Sequence, residues 1–367
     1  MKRICFILNL GPHYRYPIYS ELGKNLPCDF YLGDKVDKPL KTFDYSKLNG
    51  FKGKLKNYYR GQVYYQVGAI KLLFKNYDYY VINGSPSCIT DWIVLFLGRL
   101  LNKKIISWAH GWNKDGGLVM NYLKKLFFSQ FYYLMIYGEY AIDFMQKHGI
   151  NRNRMICIAN SLDSKKQLKI RQSLSETDIY YKHFGNNNPV VIFSGRIQES
   201  KKIELLLEAI GLLKQEGFKV NAILIGPIIG CYDIISIIEH YSIPNQVWLY
   251  GDCYDELRLA TFFYNASVCV SPGFVGLLAI HSLTYGCPVI THDNFSAQAP
   301  EFEAIQKGVT GDFFKENNVK DLKEKIRVWC QKSRKEREIV KINAFKEIDS
   351  KWNVDYQISI LRKVTSL

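Results

Sequence analysis

The sequence predicts an α/β protein built as two consecutive doubly wound, Rossmann-like domains. Three observations carry that expectation. The chain has 367 residues, more than one ordinary core encloses. Short apolar runs alternate with helix-periodic stretches in two separate series. Between the series lies a polar stretch, residues 164–188, which closes on Gly185-Asn-Asn-Asn-Pro189.

The first series starts at residues 3–10, a largely apolar run of the kind that forms a buried parallel strand. Further strands are expected at Asp29–Gly33, Asp78–Asn83, Lys104–Ala109, Tyr133–Gly138 and Met155–Ala159, with helical patterns at Pro86–Leu101 and Gly117–Phe131. The segment Lys35–Gln66 breaks the pattern. Rich in Lys, Tyr and Gly and weakly periodic, it is expected to be a mobile surface region suited to an acidic or amphiphilic partner. The second series runs strand Val190–Ser194, helix Ile203–Gln215, strand Val220–Ile225, helix Asp233–Tyr241, strand Val247–Tyr250 and helix Asp255–Tyr264. Ile203, Leu206, Leu207, Ile210 and Leu213 recur at helical spacing, so that helix buries one face. The expected domains are 1–163 and 189–350, joined by 164–188, with a terminal helix in 351–367 that packs back on the first domain. Ligands of such sheets bind beyond the carboxyl ends of strands, so the expected site is a cleft between two facing domains.

Hydrophobic residues make up 47% of the chain and charged residues 23%, which excludes a disordered protein. The net charge of +15 favours phosphates, nucleic acid or an anionic membrane surface as partners. No helix-turn-helix, zinc or RNA-binding signature accompanies it and the basic residues are scattered, so nucleic acid is not expected. The nine cysteines include no CxxC pair, and several (Cys5, Cys157, Cys269) sit inside apolar runs. That pattern points to a reducing cytosol and away from a disulfide framework or a zinc site. The first apolar run is short and lacks a cleavage site, and no run of about 18 apolar residues follows. Neither a signal peptide nor a membrane-spanning helix is expected.

Two stretches carry the chemistry. In the first, Phe193-Ser-Gly-Arg-Ile-Gln-Glu-Ser-Lys-Lys, a buried strand ends at Gly195-Arg196 and a helix starts just after Lys201-Lys202. Two cations converging there would neutralise a diphosphate, with two solvated cations on a loop as the competing explanation. The second runs from Val268 to Thr291 as strand, glycine-bearing loop, short helix, Gly-Cys-Pro stop and strand. Backbone N–H groups and a helix N-terminus meet at that loop, which suits an anion. A plain tight turn at Gly273 and Gly276 is the competing explanation. The turn after the first strand holds Gly11 as its only glycine, so a GxGxxG dinucleotide fingerprint is absent.

The run Ser-Gly-Arg-(x4)-Lys, then Gly-Asp-(x3)-Glu-Leu, Tyr-Asn-Ala-(x4)-Ser-Pro, Leu-Thr-Tyr-Gly-Cys-Pro-Val-Ile and Gly-Val-Thr-Gly resembles the retaining glycosyltransferases of family 4. Ile105-Ile-Ser-Trp-Ala-His-Gly111 and Ile156-Cys-Ile-Ala-Asn-Ser-Leu-Asp163 are similar to motifs of that family's first half, so the resemblance spans about residues 77–315. It implies the two-domain GT-B fold, an acceptor-binding first domain, a second domain that binds a nucleotide-diphosphate sugar, and transfer without a bound metal or other cofactor. Arg196 and Lys201 match the diphosphate-binding cations, next to Gly195, and His110 matches the histidine near the reacting sugar carbon. Tyr250, Gly251 and Asp252 fall at the base-binding loop, and Glu303 matches the glutamate before Gly-Val-Thr-Gly. Gly11 and His13 fall in an acceptor-side loop. Lys202 stands where the family has glycine.

The departure from the family is the second stretch. Counting back from Gly286, the family's two glutamates, one on the donor sugar and one on the ribose, are replaced by Gly273 and His281. Backbone N–H groups of Phe274, Val275, Gly276 and Leu277 are expected to remain for the sugar or the distal phosphate, and His281 to keep one ribose hydrogen bond. Asp293 and Asn294 are alternative sugar contacts, with a solvated turn as the equal alternative. The resemblance implies a glycan or lipid-linked glycan acceptor, surface polysaccharide biosynthesis and a cytoplasmic protein. The basic, aromatic stretch 123–133 suggests docking at the inner face of the cell membrane, or else an ordinary helix and strand. A catalytically silent nucleotide-sugar binder and a sugar-nucleotide epimerase of similar fold are the alternatives.

Overall fold

The structure, a computed structural model, describes residues 2–37 and 40–366. The chain divides into two compact units, Met1–Asp163 with Asn353–Leu367, and Ser164–Trp352. The first unit contains β1 (Ile4–Leu8), α1 (Tyr16–Asn25), β2 (Cys28–Gly33), β3 (Phe51–Arg60), β4 (Val63–Val67), β5 (Tyr79–Ile82), α2 (Ile89–Leu100), β6 (Lys104–Ala109), α3 (Leu118–Ser129), β7 (Tyr133–Ile136), α4 (Glu139–Lys147) and β8 (Met155–Cys157). Its sheet has the order β4-β3-β2-β1-β5-β6-β7-β8 and is parallel except for the antiparallel β3–β4 pair. Every residue of β1 and β5 is buried, as central strands covered on both faces require.

The second unit contains α5 (Ser164–Gln172), α6 (Ile179–Phe184), β9 (Val190–Ser194), α7 (Ile203–Gln215), β10 (Asn221–Ile225), α8 (Ile234–His240), β11 (Val247–Gly251), α9 (Glu256–Asn265), β12 (Val268–Ser271), α10 (Leu278–Thr284), β13 (Val289–His292), β14 (Gly311–Phe314), α11 (Val319–Cys330) and α12 (Arg334–Lys351). All pairs of its sheet, β11-β10-β9-β12-β13-β14, are parallel. In both units strand order reverses beside the first strand, between β1 and β5 and between β9 and β12. Helices leaving to opposite sides at such a point open a crevice at the strands' carboxyl ends. The last helix, α13 (Val354–Thr365), belongs to the first unit, where Ile358 and Leu361 share a core with Ile18 and Leu22 of α1.

Two segments differ from the sequence expectation. Residues 164–188, read as the connection between domains, hold α5 and α6, and Tyr180 of α6 is buried with its hydroxyl donating to the Phe262 carbonyl at 2.7 Å. The stretch 35–66, expected to be mobile, is in large part ordered sheet: β3 extends from β2 and turns back as β4. Lys38 and Pro39 of that stretch lie outside the described residues. The hairpin hides from pattern analysis because two of its inward residues are polar. Asn57 donates to the Asn9 and Lys35 carbonyls, and Gln66 donates to the Leu8 carbonyl and to Asn57. Directly opposed tyrosines stack on both faces, Tyr58 on Tyr65 at 5.1 Å on the exposed side and Tyr59 on the buried Tyr64 at 4.8 Å on the inward side.

Gln357 is the buried polar tie of α13. Its amide donates to the Ala159 carbonyl at 2.9 Å and its carbonyl accepts from the Ser161 hydroxyl at 2.7 Å. Gln357→Ala should leave both groups unsatisfied and destabilise the first unit by about 1–3 kcal/mol, read as a lower denaturant midpoint.

Candidate active site

In the second unit the carboxyl ends of β9 and β12, at the reversal of strand order, bring the two predicted stretches together. After β9 the chain passes through Gly195 and Arg196 into a single helical turn, Glu199–Lys201, before α7. After β12 it passes through Pro272 and Gly273 into α10. The two turns touch: the Gly273 N–H donates to the Lys201 carbonyl at 3.0 Å. A Cβ on Gly273 would lie 2.4 Å from the Ser200 carbonyl oxygen and 2.9 Å from the Lys201 Cα. Both neighbours are backbone, so no side chain, glutamate included, fits there without displacing the turn. The loop is also pinned from behind. The Thr291 hydroxyl donates to the Ser271 and Gly273 carbonyls, and the Gln298 side chain bonds both Thr291 and the Val275 N–H.

Lys201 is held at the junction. Its ammonium donates to the Phe274 carbonyl at 2.8 Å and lies 3.4 Å from the centre of the Phe274 ring. Burial, and then the neighbouring Arg196 guanidinium, lower its pKa from 10.5 to about 8. Arg196 is exposed. Among the described residues the N–H groups of Phe274, Gly276 and Leu277 have no partner, whereas that of Val275 is taken by Gln298. The expectation of four free N–H groups is therefore corrected to three. Arg196, Lys201 and these amides make a concentration of positive potential with no carboxylate of the loop itself to oppose it.

Lys202 has a different task. It adopts the left-handed backbone conformation at φ 51°, which glycine takes more readily than a residue with a side chain. Its ammonium bonds Asn317 at 2.7 Å and pairs with Glu316 at 3.3 Å. Glu316 also accepts from the Asn294 amide, and Asp293 accepts from the Glu316 N–H. Asp293 and Asn294 thus build the turn, as their alternative explanation had it.

His281 is committed as well. Its Nε2 lies 3.0 Å from Glu256 Oε1, which also accepts from the Tyr285 hydroxyl at 2.6 Å and the Gln167 amide at 2.8 Å. Burial raises the Glu256 pKa, but His281, Tyr285 and Gln167 outweigh it and bring the value from 4.5 down to about 2. A carboxylate from α9 thus stands beside position 281. Sequence analysis passed over Glu256 because Asp255-Glu256 reads as an ordinary helix start, and Asp255 does cap α9. Tyr250 packs on Phe262 at 4.9 Å at the end of β11, two strands from the cations, and Asp252 is exposed there. The Gly251 carbonyl accepts from the Gly226 N–H. Glu303 is half-buried in the turn Pro300–Ala304.

The first unit has its own cavity of about 380 Å³ at the reversal between β1 and β5. His110, at the end of β6, lines it with Arg15, Trp108 and Tyr137. Arg15 is buried, donates to the Tyr137 hydroxyl and stacks on the Tyr137 and Trp108 rings at 4.7 and 5.5 Å. The His110 ring touches solvent, yet surrounding protein and then Arg15 lower its pKa from 6.5 to about 4. Solvent contact tempers the first effect, and the imidazole is neutral at pH 7 in any case. Gly11 and His13 do not line the cavity. Gly11 is buried with its N–H on the Tyr45 hydroxyl, and His13 leans out over the Lys41 carbonyl. Pro12, Tyr14 and Arg15 of the same loop take the lining positions.

Residues 175–347 match the family model of glycosyl transferases group 1. This part of the chain is a glycosyl transferases group 1 domain. Among curated protein sequences none matches the chain. Solved structures do. HepE of Anabaena in complex with UDP aligns with a TM-score of 0.75 at 15% identity, over 100% of both chains. The lipopolysaccharide outer core galactosyltransferase WaaB aligns at 0.71 and 13% identity over 99% of each. Sucrose-phosphate synthase of Thermosynechococcus elongatus aligns at 0.69 and 13% identity over 99% of this chain and 98% of that one. At such identities the likeness is one of fold: two Rossmann-like α/β units with parallel sheets, as in GT-B glycosyltransferases. The group 1 domain contains Arg196, Lys201, the 273–277 loop and the Glu256–His281 pair.

Two outcomes follow for this domain. Gly273→Ala should lower stability by about 1–3 kcal/mol, since the turn must move to admit a methyl group, and the thermal midpoint reads it. The stability contributed by Glu256, whose pKa is depressed on folding, is complete above pH 4.5 and lost as pH falls toward 2. Glu256→Gln should flatten that acid limb in denaturation profiles.

Proposed function

We propose that the protein is a metal-independent glycosyltransferase of the retaining family 4 type. It moves a hexosyl group from a nucleotide-diphosphate sugar to a glycan or lipid-linked glycan in surface polysaccharide biosynthesis at the cytoplasmic side. The observation that carries this proposal is the meeting of Arg196, Lys201 and three unpartnered N–H groups at the reversal point of the group 1 domain. In this reaction the barrier is set largely by charge growing on the departing diphosphate. Arg196 and Lys201 would take that charge, the amides of Phe274, Gly276 and Leu277 the distal phosphate or sugar, and the β11 loop the base. Glu256 and His281 together would face the ribose. His110, neutral and beside Arg15, would contact the transferred sugar. The HepE structures with UDP and with UDP-glucose make uracil the first base to test.

Lys201 must exchange the Phe274 carbonyl and ring for the diphosphate, and only its protonated form does so. With a pKa of about 8 in the free protein, it is charged below that pH and neutral above it. The donor kcat/KM should therefore be level below pH 8 and fall about tenfold per unit above it, and Lys201→Arg should remove that limb. Arg196→Ala and Lys201→Ala should each lower transfer at least about a hundredfold with the fold intact by circular dichroism. The packing that bars a carboxylate from position 273 favours a second possibility, a domain that binds nucleotide sugar and transfers little. A thermal-shift screen over UDP- and GDP-sugars, followed by assay of transfer and donor hydrolysis, separates the two. Stabilisation with neither reaction leaves the binder, and no stabilisation by any nucleotide sugar removes both.

A further inference from the structure

The first unit carries an apolar surface that its own core does not use. On α2, Ile89, Ile93, Phe96 and Leu100 recur at spacings of four, three and four, which places them on one stripe. Phe96 is 66% and Leu100 68% exposed, while Val94, Leu95 and Gly98 on the other side are buried. On α3, Leu118 is 91% and Val119 76% exposed, and Tyr122 and Leu126 continue the same side, while Phe127 and Phe128 are buried. The helices are neighbours: Trp92 of α2 packs on Phe127 at 4.8 Å, and Arg99 donates to Gln130 just past α3 at 3.1 Å. As consecutive crossovers from β5 to β6 and from β6 to β7 they cover the same sheet face, so their outward sides look the same way. Scattered exposed leucines mean little, but two adjacent helices each showing an apolar stripe mark an interaction surface.

Charge selects the partner. Residues 84–133 contain six Lys and Arg against two Asp. Asp91 is buried, and Asp115 is occupied by the Gly117 N–H and the Asn121 amide. Arg99, Lys104, Lys114 and Lys125 are exposed around the stripes. Neither helix is long and apolar enough to cross a membrane. Apolar side chains ringed by cations, on helices that cannot span, match the boundary layer of an anionic bilayer: the side chains enter the acyl region and the cations meet the phosphates. An acidic protein partner would need shaped pockets, whereas this face offers two parallel ridges.

We infer that the α2–α3 face seats the protein on an anionic phospholipid surface, with Phe96, Leu118, Val119 and Tyr122 as the inserting residues. This inference does not depend on the proposed reaction. It gives a reason for a lipid-linked acceptor, since a seated enzyme meets such an acceptor in two dimensions. The test is co-sedimentation of the full chain with vesicles of phosphatidylcholine alone or with about one-third phosphatidylglycerol. The expected result is binding to the anionic vesicles only, weakening at least tenfold between about 0.05 and 0.5 M salt. Phe96→Glu with Val119→Glu should abolish it, and Lys114→Gln with Lys125→Gln should weaken it several-fold. Both variants alter exposed side chains, and an unchanged thermal midpoint confirms their fold. No binding to anionic vesicles, or equal binding by the glutamate variant, overturns the inference. So does a dimer of the full chain in gel filtration that the glutamate variant dissolves, because a second copy then covers the face. Loss of vesicle binding with nucleotide-sugar stabilisation retained separates a failed seat from a failed donor site.

Discussion

Gly273 meets the backbone of Ser200 and Lys201 with no room for a Cβ, and much of the candidate site follows from that contact. Because the loop after β12 lies on the turn after β9, Lys201 reaches the Phe274 carbonyl and ring. The crowding that results lowers its pKa, and the peptide planes of residues 274–277 are left with three N–H groups unpartnered. Thr291 and Gln298 hold the loop from the buried side, so its shape exists before any ligand arrives. Preorganised donors of this kind act on developing charge without having to reorient.

Neither position 273 nor position 281 carries a carboxylate. Position 273 cannot carry one, for lack of space. Position 281 carries a histidine whose Nε2 is met by Glu256 from the neighbouring helix. A carboxylate is thus present beside α10 after all, tied by His281, Tyr285 and Gln167 and kept ionised well below neutral pH. Lys202 shows the converse: a cation beside Lys201 in sequence is turned by its left-handed backbone toward Glu316 and Asn317, away from the diphosphate turn.

Apolar side chains explain the cores of both units, but polar ones decide several of their joints. Asn57 and Gln66 bond the edge hairpin to the carbonyls at the end of β1, Asn9 and Leu8, and Gln357 bonds α13 to the chain at Ala159 and Ser161. Each amide bonds a backbone carbonyl where it is buried, which is the condition for burying it at all. These residues break the apolar alternation on which sequence analysis depends. For that reason the hairpin in 35–66 was illegible while β1, β5, β9 and β12, apolar along all or most of their length, were not.

By itself the sequence determined the fold class and where the chemistry-bearing turns lie. Two series of apolar runs at strand length admit two wound parallel sheets, and Gly195-Arg196, Lys201 and the 273–277 loop follow strand ends of the second series. Tertiary structure alone decided which strand ends become neighbours, through the reversals beside β1 and β9. It decided that Pro12, Tyr14 and Arg15, and not Gly11 or His13, line the cavity beside His110. It paired Glu256 with His281 across 25 residues and closed the loop on Lys201 so tightly that only glycine fits at 273. The physical reason is one of range. Periodicity and turn chemistry act between residues a few positions apart, whereas these pairings join segments that meet only after the sheets have formed.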